Sequence, residues 1–266
     1  MITTPLETAL EAAVTAGDIL RRKFPHAREV KSKGWRDIVT DADFAAQQAI
    51  ADILVPRFPD FALLSEEGRL DVDVSAPVPT WVIDPLDGTT NYARQFPSFG
   101  VSIGLAHRRE IQLGVIHDPL RRETYYAEKG KGAFVRRENG RRSPRPLRVS
   151  ALTDFGGALV GVDWARDPAL RQRVVDALGR VAAECRTVRA IGSAALGLAY
   201  VAAGWLDGYY HLALQPWDVA AGALIVTEAG GQISAPDGSA WQLGLGQAVA
   251  SNAVLHEEFL RTLGLG

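Results

Sequence analysis

The first part of the chain has the apolar spacing of two helices that each bury one face. Apolar side chains recur every three or four positions over residues 6–24, directly after a Thr-Pro-Leu-Glu capping box at residues 4–7. A second helix is predicted to begin at the Thr-Asp-Ala-Asp segment 40–43 and to end at Pro56. We expect its buried face to consist of Phe44, Ile50, Ile53 and Leu54. The polar residues 31–36 between the two helices are predicted to form a loop.

The middle of the chain consists of short apolar runs separated by turn residues, which is the pattern of a β-sheet. A first strand is predicted at residues 61–64, followed by a surface loop over the acidic, proline-containing residues 69–80. Further runs predict an antiparallel meander with strands at 99–106, 111–117, 123–127 and 133–136. Basic residues then dominate the segment 136–148, in which Asn139-Gly140 has the sequence of a tight hairpin turn.

After about residue 150, predicted strands and helices alternate. The strands are placed at residues 158–162, 186–190, 208–214 and 247–250. The helices are placed at residues 168–183, 193–203, 218–229 and 257–263. Because the helix at 193–203 is apolar on nearly every side, we expect it to be fully buried. The change of pattern predicts an α+β chain with two closely packed sub-domains, residues 1–150 and 151–266.

The composition of the chain excludes some functional classes but does not identify one. The chain has 266 residues, of which 47% are hydrophobic, so it can bury a substantial core. A formal net charge of −2 gives no general attraction to nucleic acid or to an anionic membrane. The single cysteine, Cys185, excludes an internal disulfide framework, and no N-terminal signal pattern is present, so a cytoplasmic location is expected. The long apolar stretch 193–206 is too short to span a bilayer.

The stretch 81–91 combines a buried strand, two carboxylates and a helix start. Pro85 lacks the N–H that a central strand requires, so Asp84 and Asp87 are expected at the strand's end and in the turn after it. The Gly-Thr-Thr residues 88–90 can open a helix whose free N–H groups attract an anion. Two acids at the end of a buried strand repel each other unless a cation or hydrogen-bond donors compensate. We therefore expect metal ions between these carboxylates, next to an anion site.

Other acids stand at similar positions, where an apolar element ends or a helix begins. These are Asp43, Asp218 and the pair Glu66-Glu67. Each also has a purely structural explanation: Asp43 is three residues after Thr40, as in a capping box, Asp218 could cap a helix, and the glutamates could form a solvated turn. If the acids converge, oxygen ligands with no histidine or cysteine beside them favour Mg²⁺ over zinc.

Four segments together resemble the inositol monophosphatase family. Residues 84–91, Asp-Pro-Leu-Asp-Gly-Thr-Thr-Asn, resemble its first signature, and residues 217–222, Trp-Asp-Val-Ala-Ala-Gly, resemble its second. The Ser-Glu-Glu-Gly segment 65–68 is similar to its acidic loop, and residues 37–43 to its early loop-to-helix segment. The order and spacing of these segments agree from about Ala9 to the C-terminus.

The resemblance implies a layered α-β-α-β-α sandwich and Mg²⁺-dependent hydrolysis of a phosphate monoester, with two to three ions in the site. Direct attack by a metal-activated water is expected, without a phosphoenzyme. The metal ligands implied by position are Glu66, Asp84, the backbone carbonyl of Leu86, Asp87 and Asp218. The catalytic residues implied are Glu66 together with Thr89 and Asp43, the last two positioning the attacking water.

The resemblance also places the substrate, with inositol 1-phosphate as the leading candidate. Gly88 and Thr89 would bind its phosphate through backbone N–H groups. The remaining substrate contacts implied are Gly192, Ser193, Ala194, His211 and Asp218. Ser193 could instead be a plain helix N-cap.

The sequence departs from the family at His211, which stands where inositol-type members have a glutamate that binds ring hydroxyls. A histidine has no fixed negative charge and accepts fewer hydroxyl donors, unless it is simply a strand-end residue with its ring in solvent. This departure leaves fructose 1,6-bisphosphate, other sugar phosphates, histidinol phosphate and nucleotide 3'-phosphates open as substrates.

Partners are expected to be a small phosphorylated substrate and a second copy of the chain in a homodimer, with lithium as an inhibitor, all by resemblance. A membrane partner is not expected, and nucleic acid is considered unlikely. The alternative class of function is an RNA-binding or partner-binding regulatory protein that uses the basic segment 136–148.

Overall fold

The computed structural model describes residues 4–26, 29–35, 37–68, 75, 77–137 and 143–266. The helices are α1 (Pro5–Lys23), α2 (Asp41–Arg57), α3 (Thr89–Ala93), α4 (Pro168–Glu184), α5 (Ala194–Ala202), α6 (Pro216–Glu228) and α7 (His256–Leu263). The strands are β1 (Val30–Gly34), β2 (Asp37–Thr40), β3 (Ala62–Ser65), β4 (Thr80–Asp87), β5 (Gly100–His107), β6 (Glu110–Asp118), β7 (Glu123–Glu128), β8 (Ala133–Arg137), β9 (Arg145–Pro146), β10 (Leu159–Val162), β11 (Thr187–Ala190), β12 (Gly208–His211), β13 (Gly231–Ser234) and β14 (Ala248–Asn252).

Two large sheets organise the described residues. The first runs in sequence order from β3 to β9; β3 and β4 are parallel, and all later neighbours are antiparallel. This confirms the predicted meander. The second sheet has the order β11-β10-β12-β14-β13, with β10 parallel to both of its neighbours. Its antiparallel edge strand β13 was not predicted from the sequence.

Helices cover both sheets in layers. Apolar residues of α1 and α2 form one core with the first sheet, as the capping boxes and apolar periods of these helices predict. Apolar residues of α5 and α6 form a second core between the two sheets, and those of α4 and α7 pack on the outer face of the second sheet. The predicted α-β-α-β-α sandwich is confirmed, and every residue of α5 is buried.

The strand β12 contributes side chains to the hydrophobic cores on both faces of the second sheet. Tyr209 belongs to the core shared with α5 and α6, whereas Tyr210 belongs to the core shared with α4 and α7. Both side chains are fully buried. Alternate residues of a strand point to opposite faces of the sheet, so a central strand covered on both faces has no polar alternation.

Several expectations are wrong at the level of single elements. Residues 31–36 were predicted as a loop, yet β1 and β2 pair as an antiparallel hairpin, with residue 36 outside the described part. Phe44 is 50% exposed rather than buried, because it points away from the core that Ile50 and Leu54 enter. Pro56 lies inside α2, which ends one residue later at Arg57.

The strand β4 does not end before Pro85, as predicted, but continues to Asp87. Pro85 causes no loss of a ladder bond, because the pairing with β3 stops at Ile83 and the pairing with β5 shifts register between Asp84 and Asp87. A proline is tolerated at such an irregularity.

Two further expectations fall mostly or wholly on residues that the structure does not describe. Of the predicted surface loop 69–80, only residues 75 and 77–80 are described, and the Asn139-Gly140 turn lies entirely outside. Among the described helices, none is long and apolar enough to cross a membrane.

Candidate active site

Three aspartates from different parts of the chain meet at one point. Asp84 and Asp87 lie at the end of β4, and Asp218 lies in the first turn of α6. One carboxylate oxygen from each lies within 4.8 Å of the others. The site therefore joins the first sheet to a helix of the layer between the two sheets.

Asp84 is the most enclosed of these acids, with 2% of its surface exposed. Its Oδ1 accepts a hydrogen bond of 3.0 Å from the Leu86 N–H, two residues later. Burial raises the pKa of Asp84 well above its usual range, and the neighbouring carboxylates of Glu66, Asp87 and Asp218 raise it further. A cation at this point would reverse that effect.

Asp87 is held by the start of α5. Its Oδ2 accepts a 2.5 Å hydrogen bond from the Ser193 hydroxyl and a 2.7 Å bond from the Ala195 N–H. Burial raises the pKa of Asp87 to about 6, and these donors oppose the rise. The same Ser193 hydroxyl accepts from the Leu196 N–H, so the helix-cap explanation for Ser193 is correct. The cap also orients a carboxylate of the cluster.

Asp218 is not the N-cap of α6, which is Gln215. Instead it is the third helical residue, and its Oδ2 accepts from the Gln215 N–H at 2.7 Å. Burial raises the pKa of Asp218 well above its usual range, with Asp87 as the next cause. This reciprocal cap fixes one oxygen and directs the carboxylate toward Asp84 and Asp87.

Glu66 follows β3 at the edge of the same site. It forms an ion pair of 3.2 Å with Lys33, which also pairs with Glu67 at 2.8 Å. Burial raises the pKa of Glu66, whereas the Lys33 charge lowers it. The solvated-turn explanation is therefore wrong for Glu67, whose side chain is 5% exposed. Lys33 lies on β1, in the hairpin that was predicted as a loop.

Asp43 has both the structural and the site contacts that its sequence position suggested. Its Oδ2 accepts from the backbone N–H and the hydroxyl of Thr40, completing a capping box at the start of α2. Its Oδ1 accepts a 3.1 Å hydrogen bond from the Thr89 hydroxyl. Burial raises the pKa of Asp43 to about 6. That hydroxyl also lies 3.1 Å from the Leu86 carbonyl oxygen.

Gly88 separates β4 from the short helix α3, at a point where only glycine fits. Its φ is +96°, and a Cβ there would lie 2.9 Å from the Gly192 carbonyl oxygen. The Asn91 side-chain amide lies within hydrogen-bond distance of the carbonyls of Ser98, Ile191 and Gly192. These contacts hold α3 against the loop that leads into α5.

Asp163 is a residue of this region that was not predicted from the sequence. Its Oδ1 accepts from the Gly192 N–H at 2.6 Å, and its Oδ2 accepts from the Tyr209 hydroxyl at 2.9 Å. Burial raises the pKa of Asp163 to about 7. It directly follows β10, so the rule that singled out the other acids, an acid where an apolar element ends, would have found it.

His211 is the last residue of β12 and is 9% exposed, so the alternative explanation of a strand-end ring in solvent is wrong. Its Nδ1 accepts a 3.0 Å hydrogen bond from the Ala213 N–H. Burial lowers the pKa of His211 to about 4. The ring is therefore neutral near pH 7.

A single open cavity of about 1170 Å³ contains every candidate residue except Asp43. The lining residues that were candidates are Glu66, Asp84, Leu86, Asp87, Gly88, Thr89, Gly192, Ser193, Ala194, His211 and Asp218. Asp43 lies directly behind Thr89. The cavity also includes Lys33, Arg166 and the aromatic residues Phe44 and Trp164, which the sequence had not indicated.

The acidic cluster fits a hard cation. Its donors are carboxylate oxygens, and no salt bridge to Asp84, Asp87 or Asp218 is present among the described residues. Buried carboxylates that raise one another's pKa values are costly unless a positive charge lies between them. Oxygen-only ligands are typical of Mg²⁺ and Ca²⁺ sites.

Comparisons with known proteins show the family of this chain. The family model described as "Inositol monophosphatase family" matches residues 2–264. "Nus factor SuhB" of Salmonella typhimurium is 38% identical over 250 residues, covering 93% of this chain and 91% of that protein. "Inositol monophosphatase 3" of Solanum lycopersicum is 37% identical over 266 residues, covering 97% of this chain and 96% of that protein.

A solved structure has the same fold. The extragenic suppressor protein suhB of Bartonella henselae superposes with a TM-score of 0.90 at 34% identity, covering 98% of both chains. The expectation that nucleic acid is an unlikely partner has no support, since a relative of this similarity is named a Nus factor. Given the family match over residues 2–264 and relatives that cover nearly the whole chain, this protein belongs to the inositol monophosphatase family.

Proposed function

We propose that the protein hydrolyses phosphate monoesters of small molecules with Mg²⁺ as cofactor. The observation that carries the proposal is the convergence of Asp84, Asp87 and Asp218, whose oxygens lie within 4.8 Å of one another in a cavity. Two of these carboxylates are buried, and none of the three has a salt bridge among the described residues, so a cation would stabilise them. A phosphate ester is a substrate that such a cation can bind beside them.

The ligands that would hold Mg²⁺ are Glu66, Asp84, the Leu86 carbonyl, Asp87 and Asp218. Two or three ions are expected from the resemblance to the family. When bound, Mg²⁺ neutralises phosphate charge, acidifies a water and stabilises the leaving oxygen. Ser193 and the Gln215 N–H each hold one carboxylate in place, which keeps the donor set rigid.

The chain's own groups then orient the substrate and a water. Gly88 and Thr89 stand at the N-terminus of α3, where free backbone N–H groups can donate to phosphate oxygens. Thr89 and Asp43 form a hydrogen-bonded pair beside Leu86. A water that donates to the Thr89 oxygen would pass its proton toward Asp43, the base with a raised pKa.

Replacement of Asp84 with asparagine tests the reaction. The variant keeps the size of the side chain but removes the most enclosed carboxylate of the cluster. We expect Mg²⁺-dependent phosphate release from inositol 1-phosphate and other monoesters to fall by at least about 100-fold. Asp237→Asn, at an exposed turn outside the cavity, is the matched control and should retain full activity. Undiminished hydrolysis by the Asp84 variant would disprove the proposal.

A Nus factor function is a second candidate, favoured by the names of relatives that are 38% identical to this chain. The basic segment 136–148 would be its contact surface. Of the described arginines there, Arg137 is already paired with Glu123 at 2.6 Å, while residues 138–142 lie outside the described part. Salt-sensitive RNA binding that is lost on replacing Arg141, Arg142 and Arg145 with glutamine would support this function.

A further inference from the structure

This inference rests on the proposed phosphatase function. The residues around His211 in the cavity indicate which chemical group of the substrate would bind beside them. His211 stands where inositol-type members of the family have a glutamate. A glutamate offers only acceptors to the substrate, so it suits hydroxyl donors. What His211 offers depends on which of its ring nitrogens carries the proton.

The hydrogen bond to Nδ1 decides the tautomer. The Ala213 N–H donates to Nδ1, so Nδ1 is the acceptor and the proton of the neutral ring is on Nε2. Nε2 has no acceptor among the described residues, although the side chain is 91% buried, and the ring lines the cavity. The position thus offers a hydrogen-bond donor to the substrate, where the family glutamate offers acceptors.

Two arginines extend this donor surface. Arg166 is 57% exposed, and its Nη1 donates to Asp37 at 2.6 Å, which leaves its other N–H groups available. Its charge lowers the pKa values of Glu66, His211 and Asp218, and it lines the same cavity as these residues. Arg171 lies over the ring of Trp164 at 5.3 Å and also lines the cavity.

The acids of the same wall each have at least one contact within the fold. Both oxygens of Asp163 accept hydrogen bonds, from Gly192 and Tyr209. Asp167 caps α4 by accepting from the Leu170 N–H. On this wall the donors that remain for a ligand are His211 Nε2 and the free N–H groups of Arg166, beside the second carboxylate oxygen of Asp167.

We propose that His211, Arg166 and Arg171 bind a second phosphate of the substrate, so that the protein prefers bisphosphate esters to monophosphates of neutral polyols. A phosphate oxygen is an acceptor only and forms charge-assisted bonds with arginine. A ring hydroxyl can accept from Nε2 as well, but only as a neutral pair. This revises the expectation that inositol 1-phosphate is the leading substrate.

The size of the cavity agrees with a second anionic group. Its volume is about 1170 Å³, above the ~300–1,000 Å³ typical of small-molecule sites. The acidic cluster needs only one phosphate beside it. The cavity also extends to Trp164 and Arg166, which precede α4, and to Arg171 near the start of that helix.

Two substrate pairs that differ by one phosphate test the proposal. They are fructose 1-phosphate with fructose 1,6-bisphosphate, and adenosine 3'-monophosphate with adenosine 3',5'-bisphosphate. We expect each bisphosphate to have a kcat/KM at least about tenfold higher, mainly through KM. His211→Glu should abolish that preference and raise the kcat/KM for inositol 1-phosphate. Arg166→Gln should reduce the preference, while Arg173→Gln, an arginine of α4 outside the cavity, should leave it unchanged.

Equal kcat/KM values within both pairs, or an unchanged preference in His211→Glu, would overturn the inference. Phosphate release from any of these esters would still support the proposed reaction. If no ester is hydrolysed, the proposed function fails, and equilibrium binding then decides the inference separately. In EDTA, calorimetric titration should show tighter binding of fructose 1,6-bisphosphate than of fructose 1-phosphate, and His211→Glu should remove the difference. The absence of any difference in the wild-type protein would also overturn the inference.

Discussion

Asp43 shows that a structural and a chemical role can share one carboxylate. One oxygen completes the capping box of α2 with Thr40, and the other accepts from the Thr89 hydroxyl. The two oxygens of a carboxylate have separate lone pairs, so neither contact excludes the other. Because the cap fixes the side chain, the second oxygen is held in position for Thr89.

Thr89 gives a prediction at the residue scale. Its hydroxyl has one proton and lies 3.1 Å from both Asp43 Oδ1 and the Leu86 carbonyl oxygen. Thr89→Val removes the hydroxyl and keeps the shape, and we expect kcat to fall by about 10²-fold with KM little changed. Steady-state kinetics with Mg²⁺ measures both constants. Thr89→Ser, which retains the hydroxyl, should keep most of the activity, and a fully active valine variant would contradict the assigned role.

At the scale of elements, α6 is positioned by backbone contact with β6. A Cβ at Gly114 of β6 would lie 2.5 Å from the Ala221 carbonyl oxygen of α6 and 2.8 Å from its Cα. Only a glycine permits this approach. The helix that carries Asp218 therefore packs against the sheet whose strand β4 ends with Asp84 and Asp87. This packing fixes the distance between the three acids.

Gly114→Ala tests this packing. The new methyl group meets backbone atoms that cannot move aside alone, so we expect a loss of about 1–3 kcal/mol in the free energy of unfolding. The matched control is Gly179→Ala on α4, where nothing lies within 4 Å of an added Cβ. That change should stabilise the protein by about 0.5–1 kcal/mol, because alanine favours the helix. Urea denaturation measures both, and equal effects would refute the packing argument.

At the scale of the whole molecule, the acidic cluster is expected to cost stability when no cation is bound. The layered fold encloses Asp84 and Asp218, and burial raises both pKa values well above those of an unfolded chain. Above about pH 4 these two carboxyl groups therefore hold more protons in the folded state than in the unfolded state. The stabilising effect of these protons is present below the unfolded pKa and is lost as pH rises through the folded values.

The expected outcome is a melting temperature that falls as the pH rises above about 6.5 in EDTA, because Asp84, Asp163 and Asp218 then lose their protons. His117 and His211, whose pKa values burial lowers to about 4, contribute the opposite slope only below about pH 6.5. Each kcal/mol lost should lower the melting temperature by about 2–4 °C. Mg²⁺ should raise the melting temperature and flatten the profile, because it binds only the folded state.

Asp84→Asn should have a flatter profile in EDTA and a smaller response to Mg²⁺ than the wild-type protein, since one mutually repelling carboxylate is gone. Differential scanning calorimetry across this pH range measures both effects. A wild-type profile that rises with pH in EDTA would show that the carboxylate cluster does not control stability in this window.

The sequence alone predicted most elements and the acids of the candidate metal site. Helix caps, apolar periods and turn residues act over a few neighbouring positions, so α1, α2 and the meander were accessible to local reasoning. The stretch 81–91 places Asp84, Asp87, Gly88 and Thr89 side by side in the chain. Residues this close in sequence are close in space in any fold, which is why a local motif could indicate this part of the site.

Only the tertiary structure decided what surrounds that motif. Asp87 meets Ser193 across 106 positions of the chain, and Gly192 meets Asp163 across 29. Lys33 reaches Glu66 from a hairpin that its polar sequence did not indicate. The tautomer of His211 depends on the turn to Ala213 and on burial by neighbouring layers. Local sequence thus specified the carboxylates, whereas their partners and the polarity of the substrate wall required the fold, because these depend on contacts between distant segments.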